Sequence, residues 1–269
     1  MATHDSAFAG SIPALYDRHL GPLIFEPYAA DIARRLPRLA NGAVLEIAAG
    51  TGIVTQMLAA ELAAPVRIVA TDLNQPMLDH AAGKPGMARV AFRQANALDL
   101  PFADDAFDAV VCQFGVMFFP DRVAAHRQAH RVLKPNGRYV FNVWDSLAHN
   151  PVTDIVVSAM ATRYPNDPPR FLARVPHGYH DEAAIRSDLA AAGFTNISIE
   201  TVTLPSRAAS HRDPAIGFCQ GTPMRSEIEA LDPGDIQAAT DAAAAALAAR
   251  YGAGAIEAPM QAKVITASA

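Results

Sequence analysis

The sequence predicts an α/β fold in which an open, mostly parallel sheet carries helices on both faces. Three observations predict it. Short apolar runs alternate with helix-like patterns from residue 43 to residue 144, the rhythm of strand–helix–strand units. The first run ends in small residues only, Ala48-Ala49-Gly50-Thr51-Gly52, before a helical pattern resumes. The second run ends in an acid, Asp72, 20 residues beyond Gly52.

The elements follow in order. Residues 1–20 read as irregular, with Pro13 and Gly21-Pro22 as punctuation. From Pro22 to Leu39, the residues Leu23, Ile24, Pro27, Tyr28, Ile32 and Leu36 recur at near-helical spacing and predict an amphipathic helix. Strands are expected at 43–48, 66–71, 89–94, 107–112 and 137–144, and helices at 53–63, 75–82 and 121–133. The strand runs are largely apolar, as burial on both faces of a parallel sheet requires. Lys134-Pro135-Asn136-Gly137 is a helix stop followed by a turn. After Trp144 the rhythm changes: helices are expected at 151–163, 181–192, 214–231 and 234–251, with strands at 195–204 and 257–266. Tyr164 to Pro169 is a proline-rich loop, and there is no internal repeat.

Length and composition narrow the function. With 269 residues the chain can form one large α/β domain with insertions. No uninterrupted apolar stretch reaches the roughly 20 residues of a membrane span. The start, MATHDSAFAG, lacks the basic residues and apolar core of a signal peptide. A net charge of −5 argues against gripping long nucleic acid by its phosphates. A small molecule is therefore the default partner and the cytoplasm the expected location; oligomeric state stays open, a homodimer included. Cys112 and Cys219 form no C-x-x-C and no zinc spacing, and Cys112 in FDAVVCQF reads as a buried small hydrophobe. A reducing compartment fits such thiols. His126 and His130 share a helix face without the acid of a metalloprotease pattern, so a solvated or helix-capping face is expected and no metal site.

The glycine turn is where the sequence speaks about chemistry. Small residues let a ligand approach the backbone, and the following helix offers free N–H groups. Glu46 interrupts the first apolar run near its end, and an ionised carboxylate there suits a ligand with a cationic group. In doubly wound folds an acid at the position of Asp72 hydrogen-bonds ribose hydroxyls. Two acids at adjacent strand ends around one glycine turn point to an adenosine-containing ligand. A dinucleotide fits less well: in G-x-G-x-x-G the third glycine would be Thr55 counted from Gly50, or Ile53 counted from Ala48. No G-x-x-x-x-G-K-[ST] loop occurs, and Glu46 would repel a pyrophosphate.

Four blocks, VLEIAAGTG (44–52), ATDLNQPML (70–78), QANALDLPFADDAFDAVVCQFGVMFF (94–119) and RVLKPNGRYVFNVW (131–144), carry a resemblance through most of the chain. In order and spacing they resemble the class I S-adenosylmethionine (SAM)-dependent methyltransferases, in particular the small-molecule branch of ubiquinone/menaquinone-type methylases. The resemblance implies a Rossmann-like, seven-stranded sheet with an antiparallel last strand, in a single domain over 1–269. It implies an N-terminal helical lid (1–40), a SAM-binding core (41–144) and lid or substrate insertions (145–180 and 206–255). Carried over, Glu46, Ala48, Gly50 and Gly52 surround the methionine part of SAM, and Asp72 binds the ribose. Leu73 and Met77 flank the adenine, Asn96 and Ala97 lie at its edge, and Gln113 ends the fourth strand. Ala48 stands where the family often has glycine, and Asn96 where aspartate is common.

The acceptor side is read from the residues themselves. His177, Tyr179 and His180 lie in PHGYH (176–180), a glycine-containing loop before a helix that Asp181 could cap. His177 or His180 is the expected base if the acceptor needs deprotonation, with His149 behind them; the alternative is that an imidazole only fixes the loop through backbone carbonyls. Trp144 and Asp145, at the ligand edge of the sheet, Phe118 beyond the fourth strand and, as the resemblance implies, Tyr16 in the lid are expected around the acceptor, with packing as the alternative for Trp144, Phe118 and Tyr16. DPPR (167–170) reads as a proline turn rather than a base-methylating element, since its fourth residue is Arg170 and it follows the wrong strand. The function expected is methyl transfer from SAM to an O, N, C or S nucleophile of a small molecule. The alternatives are a nicotinamide-dependent oxidoreductase on a related sheet and a non-catalytic SAM-binding protein.

Overall fold

The computed structural model describes residues 10–269. Seven strands form one sheet: β1 Gly42–Ile47, β2 Val66–Asp72, β3 Val90–Gln94, β4 Phe107–Gln113, β5 Leu133–Trp144, β6 Thr195–Ala208 and β7 Ile256–Ser268. Their order is β3-β2-β1-β4-β5-β7-β6. The first five run parallel and β7 runs antiparallel to β5, as the sequence resemblance implied. Beside β1 the chain turns outward both ways, to β2 and to β4, which makes the carboxyl ends of β1 and β4 a topological switch point. Ligands of open α/β sheets bind in the crevice at such a point.

The chain divides into two compact units. The sheet unit comprises Tyr28–Trp144, Tyr179–Val202 and Ala262–Ala269. Its core joins Val44, Val66, Ile68, Ala109, Val111 and Val140 of the sheet to Ala29, Ile32, Leu36, Val54 and Leu58 of two helices, Glu26–Arg35 and Ile53–Glu61. Ala29, Ile32 and Leu36 are spaced three and four apart and so present one face. Each fully buried valine, leucine or isoleucine contributes roughly 1.5–3 kcal/mol. The second unit comprises the described residues up to Pro27, with Asp145–Gly178 and Thr203–Gln261. It is mainly helical, with Pro151–Arg163, Arg212–Gln220, Met224–Leu231 and Ile236–Tyr251 as its main helices.

Four sequence expectations are corrected. The chain is helical from Ile12, not irregular to residue 20, and Tyr16–Phe25 forms a wide π-type helix that holds Pro22 inside it. Burial of Leu20, Leu23, Ile24 and Phe25 outweighs the local signal of Gly21-Pro22. The helix expected at 214–231 is two helices, broken at Gly221-Thr222-Pro223, where Thr222 Oγ1 donates to the Phe218 carbonyl at 2.7 Å. The short helix Phe171–Arg174 was not foreseen; the Glu227 carboxylate accepts from the N–H groups of Arg170 and Phe171 at 2.7 and 2.8 Å. The turn at Lys134–Gly137 lies within β5 as a bulge: Leu133 pairs with Phe107, and the next pair is Arg138 with Ala109. Among the described residues no helix is long and apolar enough to cross a membrane.

Candidate functional site

The turn after β1 is built from left-handed residues: φ is +54° at Ala48, +55° at Gly50 and +77° at Gly52. A Cβ at Gly52 would lie 2.8 Å from Ala81 Cβ and 3.1 Å from Met87 Cε, so this glycine seats the helix Ile53–Glu61 against its neighbour Gln75–Ala82. A Cβ at Gly50 would meet no atom of the described residues within 4 Å. Gly50 thus borders open space, room a ligand can use.

Two buried acids flank this turn. Asp72, 7% exposed at the end of β2, accepts from Gly50 N–H at 2.8 Å on one oxygen. Its other oxygen accepts from Asn74 N–H at 2.8 Å and Asn74 Nδ2 at 3.3 Å. Burial raises its pKa, and the bonds from Asn74 and Gly50 pull it back. Glu46, 1% exposed, accepts one side-chain bond, from Thr55 Oγ1 at 2.5 Å. Burial pushes its carboxyl up to about 8, against the Thr55 bond and with help from the Asp72 charge. The ionised Glu46 expected from the sequence is therefore corrected: without a cation beside it, this carboxyl holds its proton at neutral pH. Thr55, set aside in the sequence as a misfit to a dinucleotide fingerprint, is the residue that holds it.

Of the residues expected to flank an adenine, Leu73 is 50% exposed while Met77 is 3% exposed and packed inward. Asn96 is exposed; its side-chain oxygen accepts from Leu98 N–H at 3.0 Å and so shapes the turn that carries Ala97. Gln113 ends β4 in register with Asn142 of β5. Here the structure adds residues that the sequence reading missed. Phe114 takes φ of +50°, and its N–H donates to Asn142 Oδ1 at 2.9 Å. Its ring stacks on Trp144 at 3.7 Å with 5° between planes. Tyr28 meets both rings edge-on, and its hydroxyl donates to the Val202 carbonyl at 2.8 Å. Gly115 is a contact glycine: a Cβ there would lie 2.6 Å from Ala48 Cβ and 2.7 Å from Cys112 Sγ. The signal for Phe114 and Gly115 was their place directly after β4, on the ligand edge of the sheet.

The acceptor candidates separate. In the sheet unit, Tyr179 donates its hydroxyl to Asp188 at 2.8 Å and lies under the Arg122 guanidinium at 4.2 Å, while Asp181 caps the following helix through Ala184 N–H at 2.8 Å. His180 belongs to this unit, and Phe118 is half-buried in the short turn Val116–Phe118. In the second unit, His177, 6% exposed, donates from Nδ1 to the Asp145 carbonyl at 2.6 Å. Asp145 is itself buried, and its carboxylate lies 3.7 Å from His149 Nδ1. Tyr16 stacks on Phe25 at 4.7 Å. A second pair there was not foreseen: His19 Nδ1 meets Asp213 Oδ1 at 3.2 Å. His126 corrects the sequence expectation, being fully buried against the rings of Tyr139 and Phe141 with neither ring nitrogen bonded. Among the described residues no group of three or more His, Cys, Asp or Glu could hold a metal.

Residues 45–141, which contain both acids and the glycine turn, match the methyltransferase domain family. The ubiquinone/menaquinone biosynthesis C-methyltransferase of Marinomonas sp. is 31% identical over 177 residues, 61% of this chain and 70% of that protein. The demethylmenaquinone methyltransferase of Lactiplantibacillus plantarum is 41% identical over 104 residues, 37% of this chain and 44% of that protein. The structure of Haemonchus contortus phosphoethanolamine N-methyltransferase 2 with SAM has the same fold, with a TM-score of 0.59 and 17% identity, covering 95% of this chain and 56% of that one. The four sequence blocks, the switch point and the Marinomonas relative together place the chain in the class I SAM-dependent methyltransferases, in the branch that holds the ubiquinone/menaquinone methylases.

Proposed function

We propose that this chain transfers the methyl group of SAM to a small molecule in the cytoplasm. The observation that carries the reading is the pair Glu46 and Asp72 around the Gly50 turn. The residues fit the cofactor. Among the described residues nothing fills the space beside Gly50, and Thr51 Oγ1 in the same turn is buried with no hydrogen-bond partner. Asp72 Oδ2, which accepts only from Gly50 N–H, keeps acceptor capacity for a ribose hydroxyl, Glu46 offers a negative charge for a cationic end, and exposed Leu73 offers an apolar face to a base. Bound there, SAM supplies an electrophilic methyl group, whose sulfur leaves with the bonding pair.

The protein's part is to hold donor and acceptor in line, which can supply much of the rate. Where the acceptor carries a hydroxyl or acidic carbon, His177 is the first choice of base. Its Nδ1–H donates to the Asp145 carbonyl, so Nε2 is the nitrogen that would act as the base. His180 is the second choice. The names of the relatives, a C-methyltransferase of ubiquinone and menaquinone biosynthesis and a demethylmenaquinone methyltransferase, make an aromatic quinol-like carbon the first acceptor to test. The experiment is S-adenosylhomocysteine formation from SAM across phenols, quinols, amines, thiols and fatty acids. Acceptor-dependent turnover is expected. SAM binding with no turnover on any class would instead favour a binding protein, and binding of NAD or NADP in place of SAM an oxidoreductase.

A further inference from the structure

Glu46 and Asp72 are two buried acids at neighbouring strand ends, and their surroundings are unequal. Asp72 accepts from three N–H donors, those of Gly50, the Asn74 backbone and the Asn74 side chain. Glu46 accepts on its carboxyl group from one hydroxyl, that of Thr55. Among the described residues, the groups facing Glu46 offer no positive charge. From β2 comes Asp72, itself acidic. From β4 comes Cys112, fully buried, whose thiol is pushed well up by burial and by the two acids and so stays neutral. From the helix Ile53–Glu61 comes Thr55. Two carboxylates in such a place repel each other, and each loses its hydration. One negative charge is the stable state, and the three N–H donors place it on Asp72.

We propose that SAM binding at this turn expels one proton from Glu46, so that the site gains its second negative charge only when the cationic ligand arrives. The inference rests on the reading of this turn as the SAM site. The proton leaves Glu46 for solvent, and the carboxylate that remains pairs with the ligand's positive charge while Thr55 continues to donate to it. Burial, with the Asp72 charge and against the Thr55 bond, holds the free acid at about 8, against which the ligand's charge must act. Affinity should therefore rise about tenfold per pH unit on going up towards pH 8, and level off above it. An unoccupied site with one charge fewer also avoids the cost of two buried carboxylates.

The test is calorimetric titration of SAM into the full chain at pH 6.5, in two buffers of different ionisation heat. The ligand's amino group is already cationic at that pH. About one proton released per SAM bound is expected, together with the tenfold-per-unit rise in affinity. Glu46→Gln should release none and bind with an affinity that is flat between about pH 6 and 7, below the titration of the ligand's own amino group. Thr55→Val, which removes the hydroxyl that favours the carboxylate, should move the midpoint of the wild-type pH profile upwards, and it serves if Glu46→Gln does not fold. SAM binding by the wild-type chain without proton release would overturn the inference and leave the site reading standing. Undiminished release from Glu46→Gln would also overturn it, by moving the proton to another group. Failure to bind SAM at all would overturn the site reading as well.

Discussion

Gly115→Ala tests whether the loop after β4 and the glycine turn after β1 are one mechanical unit. The added Cβ would sit 2.6 Å from Ala48 Cβ and 2.7 Å from Cys112 Sγ, where carbon contacts normally lie at about 3.5–4.0 Å. Neither neighbour can swing aside. Ala48 has no side-chain torsion and holds φ of +54°, and Cys112 is fully buried in β4. The backbone must therefore move by a good part of an ångström. Overpacking of this kind costs about 1–3 kcal/mol, which for a chain of this size lowers Tm by roughly 2–10 °C. Because Ala48 lies two residues from Gly50, whose N–H holds Asp72, SAM affinity should fall with it, by about tenfold. Ala48→Gly alone should stabilise by about 0.5–1 kcal/mol, since alanine pays for a left-handed φ that glycine adopts freely. In the double variant, loss of the Ala48 Cβ removes one of the two clashes, and a coupling of about 1 kcal/mol or more is expected. Urea melts and SAM calorimetry on the four proteins decide it. A Gly115→Ala protein with wild-type Tm and affinity, or strictly additive variants, would refute the reasoning.

Four further outcomes are expected. Asp72→Ala removes a charged hydrogen-bond acceptor worth about 1.5–3 kcal/mol and should weaken SAM binding roughly ten- to a hundredfold by calorimetry. Asn96→Leu should lose SAM affinity without changing acceptor preference, measured by competition between two acceptors. His126→Leu should raise stability at neutral pH by about 1–3 kcal/mol, since it deletes two buried nitrogens that lack partners. Burial, with the Arg122 charge, holds the His126 imidazole down to about 4, so the unfolded chain takes up its proton first and stability falls as pH drops from about 6.5 towards 4. Glu46 acts in the opposite sense, its raised folded value favouring the folded chain as pH falls from about 8, so the difference between wild type and His126→Leu is the clean readout. If His177 is the base, His177→Ala should lower turnover by about 10²–10⁴-fold and remove the acidic limb of the pH profile with SAM binding intact; unchanged turnover would make it a loop-fixing residue.

The sheet unit was legible because its signals are local. Strands buried on both faces read as apolar runs, the turn from Ala48 to Gly52 reads as small residues, and Asp72 closes a run at a fixed distance. What was hidden depends on partners far along the chain. The helix Phe171–Arg174 exists because Glu227 caps it from 56 residues away. Glu46 looks like any strand-end carboxylate, and its raised pKa follows from burial and the Asp72 charge, against the bond from Thr55. His126 shares its helix with Arg122, Arg127 and His130, a polar pattern on paper, but its burial comes with Ala125, Ala129 and Val132. The loop PHGYH reads as one cluster, yet His177 turns to the Asp145 carbonyl while Tyr179 turns to Asp188. Pro22 reads as a helix start, and only the burial of its neighbours keeps it inside a helix.

The central claim is that SAM lies over the turn between Glu46 and Asp72. A crystal structure of the chain with S-adenosylhomocysteine tests it most directly. The account predicts ribose hydroxyls on the Asp72 carboxylate, the methionine end along Ala48–Gly52 within reach of Glu46, and the adenine between Leu73 and the turn at Asn96. A ligand whose ribose lies away from Asp72, or one bound on another part of the chain, would contradict it.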